Sequence, residues 1–155
     1  QMCIRDRDTD GSGIAEKLNT GMPSGLRVLD CYPAVRPVRE LTYLRADLTL
    51  EYDNGVPENA AARLTELLRR PALVIQKRTK RKELADVDIA PMIKDFSFTD
   101  GEGVVTGTVT VLAQNPGLNP QMLEKAIQRY MPDLSPDFLR IRRRAVLDAE
   151  GRDFR

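Results

Sequence analysis

The sequence predicts an α+β protein built as a two-layer βαββαβ sandwich, and three observations carry that prediction. A strand with strict alternation, 41–52, is followed by an amphipathic helix over 57–70 and a second strand, 72–78. A β-branched strand, 104–113, is followed by a second amphipathic helix, 119–131, and a last strand, 139–147. The hydrophobic period therefore passes from 2 to 3.6 and back twice in the same order. That succession is the ferredoxin-like split βαβ plan, in which both helices cover one face of a four-stranded antiparallel sheet and leave the other face open.

Taken in order, residues 1–7 (Gln-Met-Cys-Ile-Arg-Asp-Arg) read as the translation of a sequencing adapter and are set apart from the fold. Cys3 falls with them, and the native chain is expected to continue upstream of Asp8. Asp8-Thr9-Asp10-Gly11-Ser12-Gly13 imitates the start of a calcium loop, but its twelfth position is Asn19, where a bidentate Glu is required, so no calcium site is expected. Ile14, Ala15 and Leu18 mark a short helix that Gly21 ends, and 26–31 (Leu-Arg-Val-Leu-Asp-Cys) reads as a strand. Residues 8–31 are thus the expected remnant of an upstream ferredoxin-like half. Residues 32–40, with Pro33 and Pro37, are an extended connector.

The main domain is expected over 41–148, with a charged tail at 149–155. In 41–52, Leu44, Ala46, Leu48 and Leu50 point one way and Arg45, Asp47, Thr49 and Glu51 the other, up to the Asp53-Asn54-Gly55 turn. The helix over 57–70 opens on Pro57, places Ala61, Leu64, Leu67 and Leu68 on one stripe and ends on Arg69-Arg70 before Pro71. Strand 72–78 runs straight into a basic run. After a helical turn at 91–94, residues 95–100 form an extra hairpin arm that returns through Asp100-Gly101-Glu102-Gly103 into strand 104–113. Asn119 caps the second helix, whose buried side is Met122, Leu123, Ala126, Ile127 and Tyr130.

A chain of 155 residues, 41% hydrophobic and 30% charged, has the material for one ordinary core. With 24 basic and 23 acidic residues it is not globally basic, so an electrostatic partner must be argued from local clusters. The absence of histidine excludes the usual zinc sites and the Ser/His and Cys/His dyads. Two cysteines make no disulfide framework, and Cys31 reads as a half-buried thiol. No apolar run approaches the roughly 18 residues of a membrane span, so the protein is expected in the cytoplasm.

The clusters are pronounced. Five of the six residues from Lys77 to Lys82 are basic, namely Lys77, Arg78, Lys80, Arg81 and Lys82, and 139–147 carries four arginines without an acid. Lysine and arginine neutralise phosphate regardless of sequence, which makes Lys77, Arg78, Lys80, Arg81 and Lys82, with Arg140, Arg142 and Arg144 alternating onto one face, candidate RNA contacts. The competing reading is a solvated loop, or edge strands charged against aggregation. Four Tyr, four Phe and no Trp do not support a base-stacking platform. Asp86, Asp88, Asp95, Asp100 and Glu102 supply carboxylates, but they balance the basic run or sit in turns. No nucleophile and base can be paired, so no catalytic residue and no metal ligand is assigned.

Four stretches carry a family likeness: Leu18-Asn19 with Pro23-Ser24-Gly25-Leu26-Arg27-Val28-Leu29; the basic run with Val87-Asp88-Ile89-Ala90-Pro91-Met92-Ile93; Asn115-Pro116-Gly117-Leu118-Asn119-Pro120; and Leu139-Arg140-Ile141-Arg142-Arg143-Arg144. Together they resemble the radical SAM-linked protein family, a bacterial domain of unknown function found alone or fused behind a cobalamin-binding radical SAM module. The resemblance spans almost all of 10–147. It departs from the family at Ala90, where relatives tend to have a basic residue, and in lacking the upstream half rich in Gly, Pro and His. The family's iron-sulfur cysteines belong to the radical SAM module, so the resemblance implies no cofactor in this chain. It implies association with radical SAM chemistry on a macromolecule. Two functions are therefore expected: a non-catalytic module that holds RNA, or an RNA-containing assembly, for a radical SAM protein, fused or separate; or a docking domain for that partner without nucleic-acid contact.

Overall fold

The computed structural model describes residues 11–78 and 84–154. Residues 1–7, Asp8 and Asp10 of the calcium-like motif, and Lys80, Arg81 and Lys82 of the basic run lie outside the described residues. The chain divides into two units, Gln1–Pro37 and Val38–Phe154.

In the first unit, helix α1 (Gly11–Thr20) stops where expected, with the Gly21 N–H donating to the Leu18 carbonyl at 3.1 Å. The expected strand at 26–31 does not form. The backbone of Val28 is satisfied instead by a side chain: its N–H donates to Asn19 Oδ1 at 2.7 Å and its carbonyl accepts from Asn19 Nδ2 at 3.0 Å. With the amide in the place of a neighbouring strand, 26–31 runs without a ladder and Leu29 is 89% exposed.

The second unit holds two sheets. Strands β1 (Tyr43–Glu51), β4 (Ile93–Asp100), β5 (Val104–Leu112) and β6 (Phe138–Leu147) form a four-stranded sheet in the order β4-β5-β1-β6, antiparallel throughout. Strands β2 (Val74–Arg78) and β3 (Leu84–Asp88) form a separate antiparallel hairpin. Helix α2 (Ala60–Leu68) lies between β1 and this hairpin in the chain, and α3 (Met122–Tyr130) connects β5 to β6. The fold is α+β, and the strand order keeps the split βαβ arrangement with one exchange. The expected edge strand, 72–78, stands outside the main sheet, and the expected extra arm, 95–100, occupies that edge as β4.

Side-chain chemistry explains the exchange. β4 presents Ile93, Phe96 and Phe98 to the core, whereas β2 turns polar after Ile75, with Gln76, Lys77 and Arg78. Phe98 also finds room that only a glycine leaves: a Cβ on its cross-strand partner Gly107 would sit 2.5 Å from the Phe98 ring and from the Ser97 carbonyl.

The core lies on one face of the main sheet. Ala46, Leu48 and Leu50 of β1 and Val105, Val109 and Val111 of β5 meet Ala60, Ala61, Leu64, Leu67 and Leu68 of α2 and Leu123, Ala126 and Ile127 of α3. Each fully buried leucine contributes about 1.5–3 kcal/mol relative to exposure. The opposite face carries Arg45, Asp47, Thr49 and Glu51 of β1 against Thr106, Thr108 and Thr110 of β5, and neither α2 nor α3 packs on it, although Thr110 itself is buried. Asn59, with φ +54°, precedes α2 without a side-chain cap; the helix is capped from across the fold by Asp100 Oδ1, which accepts from the Ala61 N–H at 2.8 Å. α3 is capped from its own sequence, Asn119 Oδ1 accepting from Gln121 N–H at 3.1 Å. Beneath α3, the buried Tyr52 hydroxyl donates to the Leu134 carbonyl at 2.9 Å; burial pushes this phenol up to about 12, and the Asp100 and Asp137 carboxylates add to the rise. At the C-terminal end, the buried Asp148 accepts from Arg152 Nε and from the N–H groups of Glu150 and Arg152, folding residues 149–154 back beside β6.

Candidate nucleic-acid interface

The hairpin whose strands flank the basic run is held firmly at its root. Leu73, Ile75 and Ile89 are buried in the core, and the Ile89 N–H donates to the Leu73 carbonyl at 2.9 Å. Asp88 closes the root: its Oδ1 accepts from the Leu73 N–H at 2.7 Å and the Ala90 N–H at 3.1 Å. Tyr130, the last residue of α3, accepts from the Val74 N–H at 3.0 Å and donates to the Val74 carbonyl at 3.2 Å. Beyond this root the strands become polar and exposed. Five cross-strand pairs run from Val74 opposite Asp88 to Arg78 opposite Leu84.

Between hairpin and α3 runs a groove of about 520 Å³ lined by Ile75, Gln76, Leu84, Lys125, Gln128 and Arg129. Lys125 and Arg129 are one helical turn apart on the exposed side of α3, opposite its buried stripe. Arg129 and Arg70 both lie over the Tyr130 ring, at 5.8 and 5.3 Å from its centroid, so two cations flank the residue that clamps the hairpin. Glu124, the acid in the first turn of α3, is turned toward Gln128 Nε2 at 3.4 Å. Among the described residues neither Lys77 nor Lys125 has an ion-pair partner. The groove thus offers cations and amide donors at the foot of the basic run, a pattern suited to phosphate oxygens.

The second predicted cluster lies elsewhere. Arg140, Arg142 and Arg144 share the open face of the main sheet, on the side away from the helices, so the structure does not join them to the hairpin. Two of the three are engaged: Arg140 Nη2 meets Glu51 Oε1 at 2.9 Å, and Arg144 Nε meets Asp47 Oδ2 at 3.3 Å. Arg142, opposite Asp47 in the register, has no ion-pair partner among the described residues. Arg144 is the extra residue of β6 where the register shifts opposite Arg45 and Ala46, and it stays on the face of Arg140 to reach Asp47.

The acidic residues behave as structural groups: Asp88 closes the hairpin, Asp100 caps α2, and Asp86 is exposed opposite Gln76. Among the described residues no three Asp, Glu or Cys side chains gather as a metal site. Lys125, Gln128 and Arg129 are not singled out by the sequence, and Arg70 is read there only as a charge at the end of its helix. The i, i+4 spacing of Lys125 and Arg129 was readable there, but only the three-dimensional placement of α3 beside the hairpin makes it a wall of a groove.

The model of a family described as an uncharacterized protein conserved in bacteria (DUF2344) matches residues 2–127. No curated protein and no solved structure matches the chain.

Proposed function

The chain belongs to this bacterial family, and from that premise we propose that it serves as a non-catalytic module that binds single-stranded RNA, or an RNA-containing assembly, for a radical SAM protein, fused or separate, in the cytoplasm. The observation that carries the RNA part is the groove in which Lys125 and Arg129 face the root of the hairpin bearing Lys77, Arg78 and the basic run. In this reading the strand's phosphates meet Lys125 and Arg129 in the groove, the basic run adds further cations of its own, and Gln76 and Gln128 donate to phosphate or ribose oxygens. The radical SAM part rests on the four sequence stretches named above. Among the described residues no helix is long and apolar enough to cross a membrane.

The test is RNA binding as a function of salt. About four to six phosphate contacts on single-stranded RNA give a log-log slope near −3 to −4, and replacing Lys80, Arg81 and Lys82 by Ser reduces its magnitude by about two, without preference among sequences. An intact fold whose affinity and slope ignore the triple change removes the basic run from the functional account. A second reading, a docking domain for the radical SAM partner, draws on the open sheet face. There the Arg140–Glu51 and Arg144–Asp47 pairs give a mixed-charge surface beside the exposed Phe138, composed more like a protein-protein contact than a phosphate track. Loss of the partner in a pull-down with the triple variant or with Arg142→Glu separates the two readings.

A further inference from the structure

The two faces of the hairpin differ. Gln76 and Leu84 look into the cationic groove, whereas Lys77 and Val87 line a second cleft of about 170 Å³ closed on its far side by the loop between β5 and α3. Its floor is Ile75 and Ile89, each 1% exposed, and its walls are Met92, Leu118 and Met122. The loop wall is tightly built: the Leu118 N–H donates to the Leu112 carbonyl at 2.9 Å, and a Cβ at Gly117 would lie 2.9 Å from the Gln114 carbonyl. Polar chemistry is confined to the rim, where Lys77 supplies a cation and Asn115 an amide, neither with a side-chain partner among the described residues.

The cleft is smaller than the pockets of drug-sized ligands, which run from about 300 to 1,000 Å³, and its volume is of the order of one ring system. The apolar lining suits a group with apolar faces, and the Lys77 and Asn115 rim suits an anion and a hydrogen-bonding edge beside it. We propose that this cleft takes one unstacked nucleobase of the bound RNA strand, with Lys77 on the adjoining phosphate and the Asn115 amide on the base edge. The inference rests on the RNA reading above and adds to it a base-holding site. The two methionine walls adjust to a purine or a pyrimidine, so the site selects for the presence of a base more than for its identity.

Two octanucleotides test it against the full chain, one intact and one of identical ribose-phosphate backbone with every base removed. The intact strand binds about tenfold tighter, as expected when one base is sheltered. Both strands show the same salt slope, because their phosphates are the same. Asn115→Ala and Val87→Phe lower affinity for the intact strand toward that of the abasic one and leave the abasic strand unaffected, and 2-aminopurine in the strand changes its emission on binding only in the unmodified protein. Because the abasic comparison needs no variant, misfolding cannot mask the result. Equal affinity for the two strands overturns the base cleft and leaves the phosphate groove standing; failure of both strands to bind overturns the cleft together with the RNA reading.

Discussion

The phenol of Tyr130 holds the backbone of Val74 at two points, accepting from its N–H at 3.0 Å and donating to its carbonyl at 3.2 Å. Val74 is the first residue of β2, so one hydroxyl ties the start of the hairpin to the end of α3. Tyr130→Phe keeps the ring on which Arg70 and Arg129 lie but leaves two backbone groups without this partner. Urea denaturation should show a loss of about 1–3 kcal/mol, and proteolysis should cut the hairpin sooner than the main sheet.

Gly107 is required by its neighbour. Gly107→Ala places a methyl group against the Phe98 ring and the Ser97 carbonyl, and since one obstacle is backbone, β4 has to shift on β5. A destabilisation of about 1–3 kcal/mol is expected. The double variant Gly107→Ala, Phe98→Leu recovers little of it, because the Ser97 carbonyl remains in the way; full recovery would mean that the ring alone was responsible.

Asp100 joins the β4–β5 turn to the start of α2. Asp100→Ala removes the acceptor of the Ala61 N–H and should cost about 1 kcal/mol by thermal or chemical unfolding, with Asp100→Asn losing less. Equal losses for Ala and Asn would show that the charge, not the hydrogen bond, supports the helix.

Tyr52 gives stability an alkaline limit. Its folded phenol, at about 12, lies above the unfolded value of 10.0, so protonation favours the folded state. The contribution is complete below pH 10 and is lost as pH rises toward 12. Ultraviolet titration should find one phenol ionising late, and Tyr52→Phe should flatten the decline in unfolding free energy across that window.

On the open sheet face, the pairing of Arg140 and Arg144 limits what they offer a phosphate. Replacing both with Ser should leave the RNA salt slope nearly unchanged, in contrast to Lys125→Ser with Arg129→Ser in the groove. A drop of about two in slope from the β6 pair would move the interface to the open face.

Much of this architecture was legible in the chain. β1 and β5 alternate cleanly, and the Leu64, Leu67, Leu68 and Leu123, Ala126, Ile127 stripes have helical spacing. The exchange of edge strands was not legible, because a bulge between Ile93 and Asp95 interrupts the period-2 pattern of β4 and hides the alignment of Ile93 with Phe96 and Phe98. Strand 72–78 in turn has an apolar start at Leu73-Val74-Ile75, which reads as core although only its root is buried. The strand expected at 26–31 failed because the Asn19 amide can satisfy Val28 as a strand would, a choice that composition does not reveal. For the site, the cations could be counted from sequence, but not which of them are neutralised: Glu51 and Asp47 reach Arg140 and Arg144 only through sheet register.

The Ile89 N–H to Leu73 carbonyl bond has a consequence for how this protein can vary. The chain that departs after Leu73 comes home beside its own point of departure, so the length of the detour is not dictated by the sheet or the helices. Gln76 and Asp86 already face each other, and an Asn-Gly reverse turn joining them would close the loop without disturbing Ile75 or Val87. A shortened chain of this kind is expected to keep the core of the main sheet, which far-UV circular dichroism and thermal unfolding would check. The scaffold and the arm are in this sense separate constructions joined at one backbone hydrogen bond.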